Sequence, residues 1–376
     1  MSTSNKVSVP LGLESIDWDF PNSSGADSLH NGHPYPAKFI PEIPRNLIDI
    51  LGVPKNSLVF DPFCGSGTTL IEAQRTGHRS CGVDLNPIAC LISKVKTTPL
   101  PGGLIETAEH CVSRAKKRKN PTIPPIPALD HWFEPEMQNA ISALVEQILS
   151  VEEPALRDAL RLCLSSIIVR VSNQESDTRY AAISKRINRD SAYQLFANSV
   201  DKLYRSLPLP IQTLPGCSVI NSDILAVSPE DIEAPVGLAV TSPPYPNAYE
   251  YWLYHKYRMW WLGFDPLLVK DKEIGARAHF FKKNPPTKDD FAGQMRKVLT
   301  LIASRLVNGG HICIVIGRSK VHGEIIDNAS IVISEATKLG LSLGFNKERI
   351  LAASRKSFNL SHASIKSENL IVLRKE

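Results

Sequence analysis

Two short stretches of the chain combine residue types that can do chemistry. The first is DPFCGSGTT, residues 61–69, which follows the apolar run SLVF and precedes TTLIEAQRTG, a helix by its pattern. Glycines at 65 and 67 let the backbone turn tightly and approach a ligand closely, because they carry no Cβ. The helix behind them presents free N–H groups at its N-terminus. Asp61 ends the first strand and faces the turn; Asp84 ends the next strand, SCGVD, where an acid can accept hydrogen bonds from both hydroxyls of a ribose. A carboxylate facing the glycine turn would repel a pyrophosphate. It suits instead a cationic, amino-acid-bearing nucleoside such as S-adenosylmethionine. A lone glycine turn is often only a turn, but two aspartates at neighbouring strand ends favour the ligand reading.

The second stretch is Thr241-Ser242-Pro243-Pro244-Tyr245, at the end of the apolar run VGLAV. Two prolines cannot continue a strand, and Pro244 holds Pro243 extended. The carbonyls there lose their ladder partners and can point rigidly at a ligand. An aromatic ring follows, on which a planar base can stack. A hydroxyl, fixed carbonyls and a ring at one sheet edge form an acceptor-rich slot for an exocyclic amine. The plainer alternative is a rigid turn with a core tyrosine.

The elements that must position these stretches alternate. Strand, glycine turn, helix and strand around residues 57–84 make a βαβ unit and hence a parallel sheet. The rhythm resumes with CSVINSDIL, which reaches Asp223, and VGLAVTSPPY. The stretch PTKDDFAGQMRKVLTLIASRLVNGG predicts a helix with Thr287 as N-cap and Gly309-Gly310 as its stop. HICIVIG predicts a strand, EIIDNASIVISEATKLG a helix, and NKERILAAS and NLIVLRKE two closing strands. Residues 1–32 read as a loose polar arm, 33–99 and 214–376 as the catalytic domain, and 100–213 as a mostly helical insertion and candidate target-recognition region.

With 376 residues, 43 % of them hydrophobic and 22 % charged, the chain has globular composition. Lys and Arg number 43 against 38 Asp and Glu, a net charge of +5 that permits a polyanion partner without demanding one. No apolar run approaches the roughly 20 residues that span a bilayer. The start, MSTSNKVSVP, lacks an apolar signal core, and seven cysteines without paired spacings fit reduced thiols, so a cytoplasmic protein is expected. His33 and His255 have no metal-ligand spacing with the cysteines, and no metal is expected.

DPFCGSGTT, the upstream segment HPYPAKFIPEIP and TSPPY together resemble the cofactor loop, cofactor-binding segment and catalytic loop of the S-adenosylmethionine-dependent DNA amino-methyltransferases, which modify cytosine N4 or adenine N6. The likeness covers residues 33–99 and 217–376. It implies a Rossmann-like methyltransferase fold, α/β with a mostly parallel seven-stranded sheet, carrying a helical insertion. It also implies S-adenosyl-L-methionine as cofactor and duplex DNA as partner, alongside a cognate restriction endonuclease or another defence partner. Asp61, Pro62, Phe63, Cys64, Gly65, Gly67 and Thr68 would surround the methionine part of the cofactor, and Asp84 with Leu85 would hold the ribose. Asp223 would meet the adenine amine, while Lys38, Phe39 and Thr241 would complete the cofactor set. Ser242 and the Pro243 carbonyl would accept from the target amine, Pro244 would stiffen the kink, and Tyr245 would stack on a base flipped out of the duplex.

The same resemblance implies that serine at 242, where the family's adenine-N6 enzymes mostly carry an acid or amide, leans towards cytosine N4. None of the seven cysteines follows a proline, so no covalent cysteine intermediate is expected. Tyr249, Tyr251 and Trp252 are candidates for the base pocket, whereas Trp260 and Trp261 read equally well as helix core. Arg114, Lys116 and Lys117 in the run RAKKRK, and Arg179, Lys185 and Arg186 in the insertion, are candidates for phosphate contact. The competing readings are an RNA amino-methyltransferase and a non-catalytic S-adenosylmethionine binder.

Overall fold

The computed structural model describes residues 11–21, 23, 28–207, 214–247, 249–351 and 367–376. Seven strands form the main sheet: β1 Leu58–Asp61, β2 Ser80–Asp84, β3 Cys217–Asn221, β4 Val236–Thr241, β5 Leu306–Gly317, β6 Leu341–Ile350 and β7 Ser367–Lys375. Their order across the sheet is β6-β7-β5-β4-β1-β2-β3, with β7 antiparallel to both its neighbours and the other pairings parallel. This is the mostly parallel Rossmann-like sheet expected. The chain leaves β1 towards β2 on one side and returns to β4 on the other, so the carboxyl ends of β1 and β4 flank a topological switch point, where such sheets bind ligands.

Both faces of the sheet are covered, so its inner strands are continuous apolar runs whose alternate residues enter different cores. Phe60, Ala239, Ile312 and Ile371 pack on one face with Phe291, Met295, Val298 and Ile302 of the helix Lys288–Arg305. Val59, Val240, Cys313 and Val372 pack on the other with Ile43, Leu47 and Ile48 of α1, Glu42–Leu51. A third core joins Ile88 and Ile92 of the helix Pro87–Thr97 to the insertion helices Leu104–Lys117, Pro135–Leu149, Pro154–Ile167 and Arg189–Ser206. Tyr257, Met259 and Trp261 of the helix Tyr251–Trp261 enter the same core. The insertion therefore shares its core with the sheet's own helices.

Four local expectations change. Residues 11–20 are not a loose arm: Leu13 and Trp18 are buried, and the Trp18 indole donates to the Leu13 carbonyl at 2.8 Å. The Trp18 carbonyl in turn accepts from Arg349 Nε at 2.8 Å, a contact across 331 positions that no local pattern announces. The polar stretch after residue 172 forms a hairpin, Gln174–Ser176 with Arg179–Ala182, too short to show strand alternation. Glu324–Ile326 is a strand paired with Ser319–Val321, and the helix begins only after Asp327, which caps it by accepting from Ser330 N. Gly309 and Gly310 lie inside β5, whereas the preceding helix, capped by Thr287 as expected, already ends at Arg305. Of the two closing strands, NLIVLRKE lies within β7 as far as Lys375, and the last three residues of NKERILAAS, 352–354, lie outside the described residues.

Trp18→Ala should remove about 3–5 kcal/mol of stability, since a buried indole and its hydrogen bonds are lost. Urea unfolding measures this; a loss below about 1 kcal/mol would mean that residues 11–20 are no part of the core.

Candidate active site

The carboxyl ends of β1, β2 and β4 open into a cleft with about 1190 Å³ of space including its mouth. Its base is a hydrogen bond between the two candidate stretches: Thr241 Oγ1 donates to Asp61 Oδ1 at 2.6 Å. Phe63 N donates to the same carboxylate oxygen at 3.1 Å, which fixes the start of the glycine loop. Gly65 N donates to Asp84 Oδ2 and Asn86 N to Asp84 Oδ1, each at 2.8 Å, so Asp84 is aimed by two backbone amides and still has lone pairs to offer. Gly67 has φ +81 and caps the helix Thr68–Arg75; a Cβ there would lie 3.0 Å from Ser93 Cα. The loop is closed from behind, where Ser93 Oγ donates to Gly65 O at 2.9 Å and the buried Lys96 donates to Ser66 O at 3.2 Å.

Of the residues expected at the site, Lys38, Phe39, Asp61, Pro62, Phe63, Cys64, Gly65, Thr68, Asp84, Leu85, Asp223, Ser242, Pro243, Pro244, Tyr245 and Tyr249 line this cleft. Gly67 and Thr241 do not: one turns the loop behind the wall, and the other is buried beneath Asp61. Trp252 is also absent from the lining, whereas Tyr251 is present. Trp261 belongs to the insertion core, the plainer of its two readings. None of Arg114, Lys116, Lys117, Arg179, Lys185 and Arg186 lines the cleft. Lys185 donates to Val169 O at 2.8 Å, Arg179 pairs with Glu175, and Lys116 with Asp190.

Three cleft residues carry no sequence signal of their own: Glu273, Glu368 and Gly275's neighbour Ile274 arrive from distant elements. Tyr35 is different, for it sits between the prolines of the upstream segment, where an aromatic could have been singled out. Its ring stacks on Tyr251 at 5.8 Å and 30°, and Tyr251 meets Tyr249 at 5.8 Å, giving the cleft an aromatic wall. Glu273 braces the end of that wall, accepting from Tyr251 N and Trp252 N at 2.8 Å each and so capping the helix Tyr251–Trp261.

The cleft is acidic. Asp61, Asp84, Asp223, Glu273 and Glu368 face only Lys38 and Lys272. Burial pushes Asp61 and Asp84 up to about 6 against the hydrogen bonds they accept, and Glu273 up to about 8. Burial likewise raises Glu368, although Arg349 Nη1 donates to it at 2.8 Å. Lys38, which donates to His30 O at 3.0 Å, is lowered to about 8 by burial and by Lys202. Desolvated carboxyls regain favourable ionisation when a cation fills the space, so this lining fits a sulfonium and an ammonium and disfavours a polyphosphate. Burial raises the Cys64 thiol well above its ordinary value, which leaves little thiolate for nucleophilic attack. Among the described residues, no group of three or more His, Cys, Asp or Glu is placed to hold a metal ion.

After the two prolines the chain is held from outside. Asn247 N donates to Gly275 O at 3.0 Å and Asn247 Nδ2 to Lys320 O at 2.7 Å. Gly275 has φ +72, and a Cβ there would stand 2.6 Å from the Tyr245 carbonyl oxygen. Among the described residues, neither the Ser242 hydroxyl nor the Pro243 carbonyl has a hydrogen-bond partner within the protein. Ser242 and Pro243 thus line the cleft beside Tyr245 with these acceptors unpaired. Gly275→Ala should cost about 1–2 kcal/mol from backbone strain alone. An unchanged urea midpoint would show that residue 275 does not press on this loop.

A family model described as DNA methylase matches residues 12–95, the stretch that holds the upstream segment, the glycine loop and Asp84. The type II methyltransferase M.MvaI of Kocuria varians is 24% identical over 265 residues, 64% of this chain and 58% of that protein. The type II methyltransferase M.MjaII of Methanocaldococcus jannaschii is 35% identical over 91 residues, 23% of this chain and 17% of its own length. A tRNA (guanine(10)-N2)-dimethyltransferase of Methanothermobacter thermautotrophicus is 38% identical over 52 residues, 14% of this chain and 16% of that protein. The chain thus spans little more than half the length of the first of these relatives. Over the segment that carries its glycine loop this chain is similar to DNA methylases, and over 64% of its length to a type II methyltransferase.

Proposed function

We propose that the protein methylates an exocyclic amino group of duplex DNA, cytosine N4 in the first instance, with S-adenosylmethionine as methyl donor. The observation that carries this reading is the pair of unpartnered acceptors at Ser242 and Pro243, set beside Tyr245 in a cleft whose other end is acidic. An exocyclic amine is a poor nucleophile because its lone pair is delocalised into the ring. Ser242 Oγ and the Pro243 carbonyl would accept its two N–H bonds, which favours a pyramidal nitrogen and aims the lone pair. Pro244 keeps those acceptors still, and Tyr245 would stack on the everted base. Asp84 would hold the ribose hydroxyls, Asp223 the adenine amine, and Asp61 the cationic end of the donor. When bound, the donor supplies a methyl group already activated by its sulfonium, so no resident strong base is required. Serine at 242 supports cytosine N4, and the type II names of two relatives support a modification role paired with an endonuclease.

Incubation with labelled S-adenosylmethionine and duplex DNA, bulk RNA or neither, followed by digestion to nucleosides and mass spectrometry, tests this directly. N4-methylcytosine in DNA is the expected product; N6-methyladenine would correct the base, label only in RNA the substrate, and no label the activity. Tyr245→Ala should abolish most turnover while leaving donor binding nearly intact. A collapse of donor affinity instead would place Tyr245 in the other half of the cleft. Asp84→Ala should weaken donor binding about tenfold or more, as hydrogen bonds to a charged acceptor are lost.

The acidic lining also sets a pH dependence. Asp61 and Asp84 hold protons up to about 6 in the free cleft and would release them to a cation. Donor affinity should therefore be greatest above that value and fall as pH drops, by up to about tenfold per unit for each proton. Calorimetry between pH 5 and 8 measures it, and a flat profile would mean that neither carboxylate carries charge towards the donor.

A further inference from the structure

Residues 264–283 follow the aromatic wall, and Val269, Lys272, Glu273 and Ile274 of this segment line the cleft. The helix Pro266–Lys272 comes first, then Glu273 and Ile274 in the lining, then the single 3₁₀ turn Arg277–Phe281. The segment is anchored from below. Val269 and Phe280 are buried, Ala278 N donates to Glu250 Oε1 at 3.2 Å, and the His279 ring bonds Lys270 O at 2.8 Å, folding the turn back onto the helix. Its outer side has a different character. Phe281 is 70% exposed, Leu268 65% and Leu267 51%, although Phe280 next door is 4% exposed. Around them stand Lys270, Lys272, Arg277, Lys282 and Lys283, none of which pairs with a carboxylate among the described residues. Arg277 lies over the Phe281 ring, 5.6 Å from its centre.

Exposed apolar groups cost free energy in water, and clustered cations repel one another, so the combination needs a partner that answers both. Duplex DNA does: its phosphates accept the lysines and arginine, and its stacked base faces accept an aromatic or aliphatic wedge. In the insertion Arg118, Lys116 and Arg179 are already paired with Glu146, Asp190 and Glu175. We propose that the rim formed by residues 264–283 grips duplex DNA beside the target, with Phe281, covered on one face by Arg277, entering the space that the everted nucleotide leaves in the stack. This rests on the amino-methyltransferase reading and adds to it the surface that meets the duplex.

The test separates extrusion from chemistry by pairing. Phe281→Ala should lower kcat/KM on fully paired duplex by about tenfold or more, yet change it little on duplex whose target base is mispaired, where extrusion is already easy. With 2-aminopurine at the target, its fluorescence increase on binding should shrink in the same variant. Lys282→Ala with Lys283→Ala should reduce the slope of log affinity against log salt by about 1.8, about 0.9 for each lost phosphate contact. Equal losses on paired and mispaired duplex, an unchanged salt slope, or a change in sedimentation from dimer to monomer that accounts for the loss would each overturn the proposal; the last would make the rim a contact between copies. The fluorescence and salt measurements need no methyl transfer, so they judge the rim even if the wild-type protein methylates no substrate.

Discussion

The hydrogen bond from Thr241 to Asp61 joins residues 180 positions apart and makes one site of two motifs. It exists because β1 and β4 are adjacent and parallel, Phe60 standing opposite Ala239, so that both strands end at the same edge. The proline kink and the glycine loop can lie side by side only at that edge. The bond is buried, so an unpaired Asp61 carboxylate would carry a large desolvation penalty there. The pairing fixes the floor of the cleft before any ligand arrives.

The same burial gives the cleft its chemistry. Asp61 and Asp84 accept backbone amides or a hydroxyl, which favour ionisation, yet burial outweighs these bonds and lifts both above the usual carboxylate range. Such a site is under electrostatic tension until a positive charge enters it. Glu273 is lifted further, and its two oxygens hold the first amides of the helix that carries the aromatic wall. Acidity and aromatic surface therefore arise from one set of buried contacts.

Rigidity around the kink comes from outside the motif. Gly275 presses against the Tyr245 carbonyl, Asn247 is tied to Gly275 and Lys320, and the helix Tyr251–Trp261 enters the insertion core through Tyr257, Met259 and Trp261. The insertion also reaches back through its hairpin: Arg258 pairs with Asp177, and the Tyr180 hydroxyl donates to Leu253 O. A segment that looks separable by composition thus supports the helix lining the cleft.

What could be read from the chain alone was whatever is local. A strand, a glycine turn and a capped helix are written in consecutive residues, because backbone freedom, capping and periodicity act over a few positions. That is why DPFCGSGTT, Asp84 and TSPPY were legible with the sheet that carries them. Trp18 meeting Arg349, Glu273 capping the aromatic helix, Glu368 entering the cleft and the sharing of the insertion core depend on contacts between distant segments. Those contacts have no signature in either segment's own pattern, since burial and pairing are decided by what the rest of the chain brings alongside. The residue types named the chemistry, and the packing of remote elements decided which of them face one another.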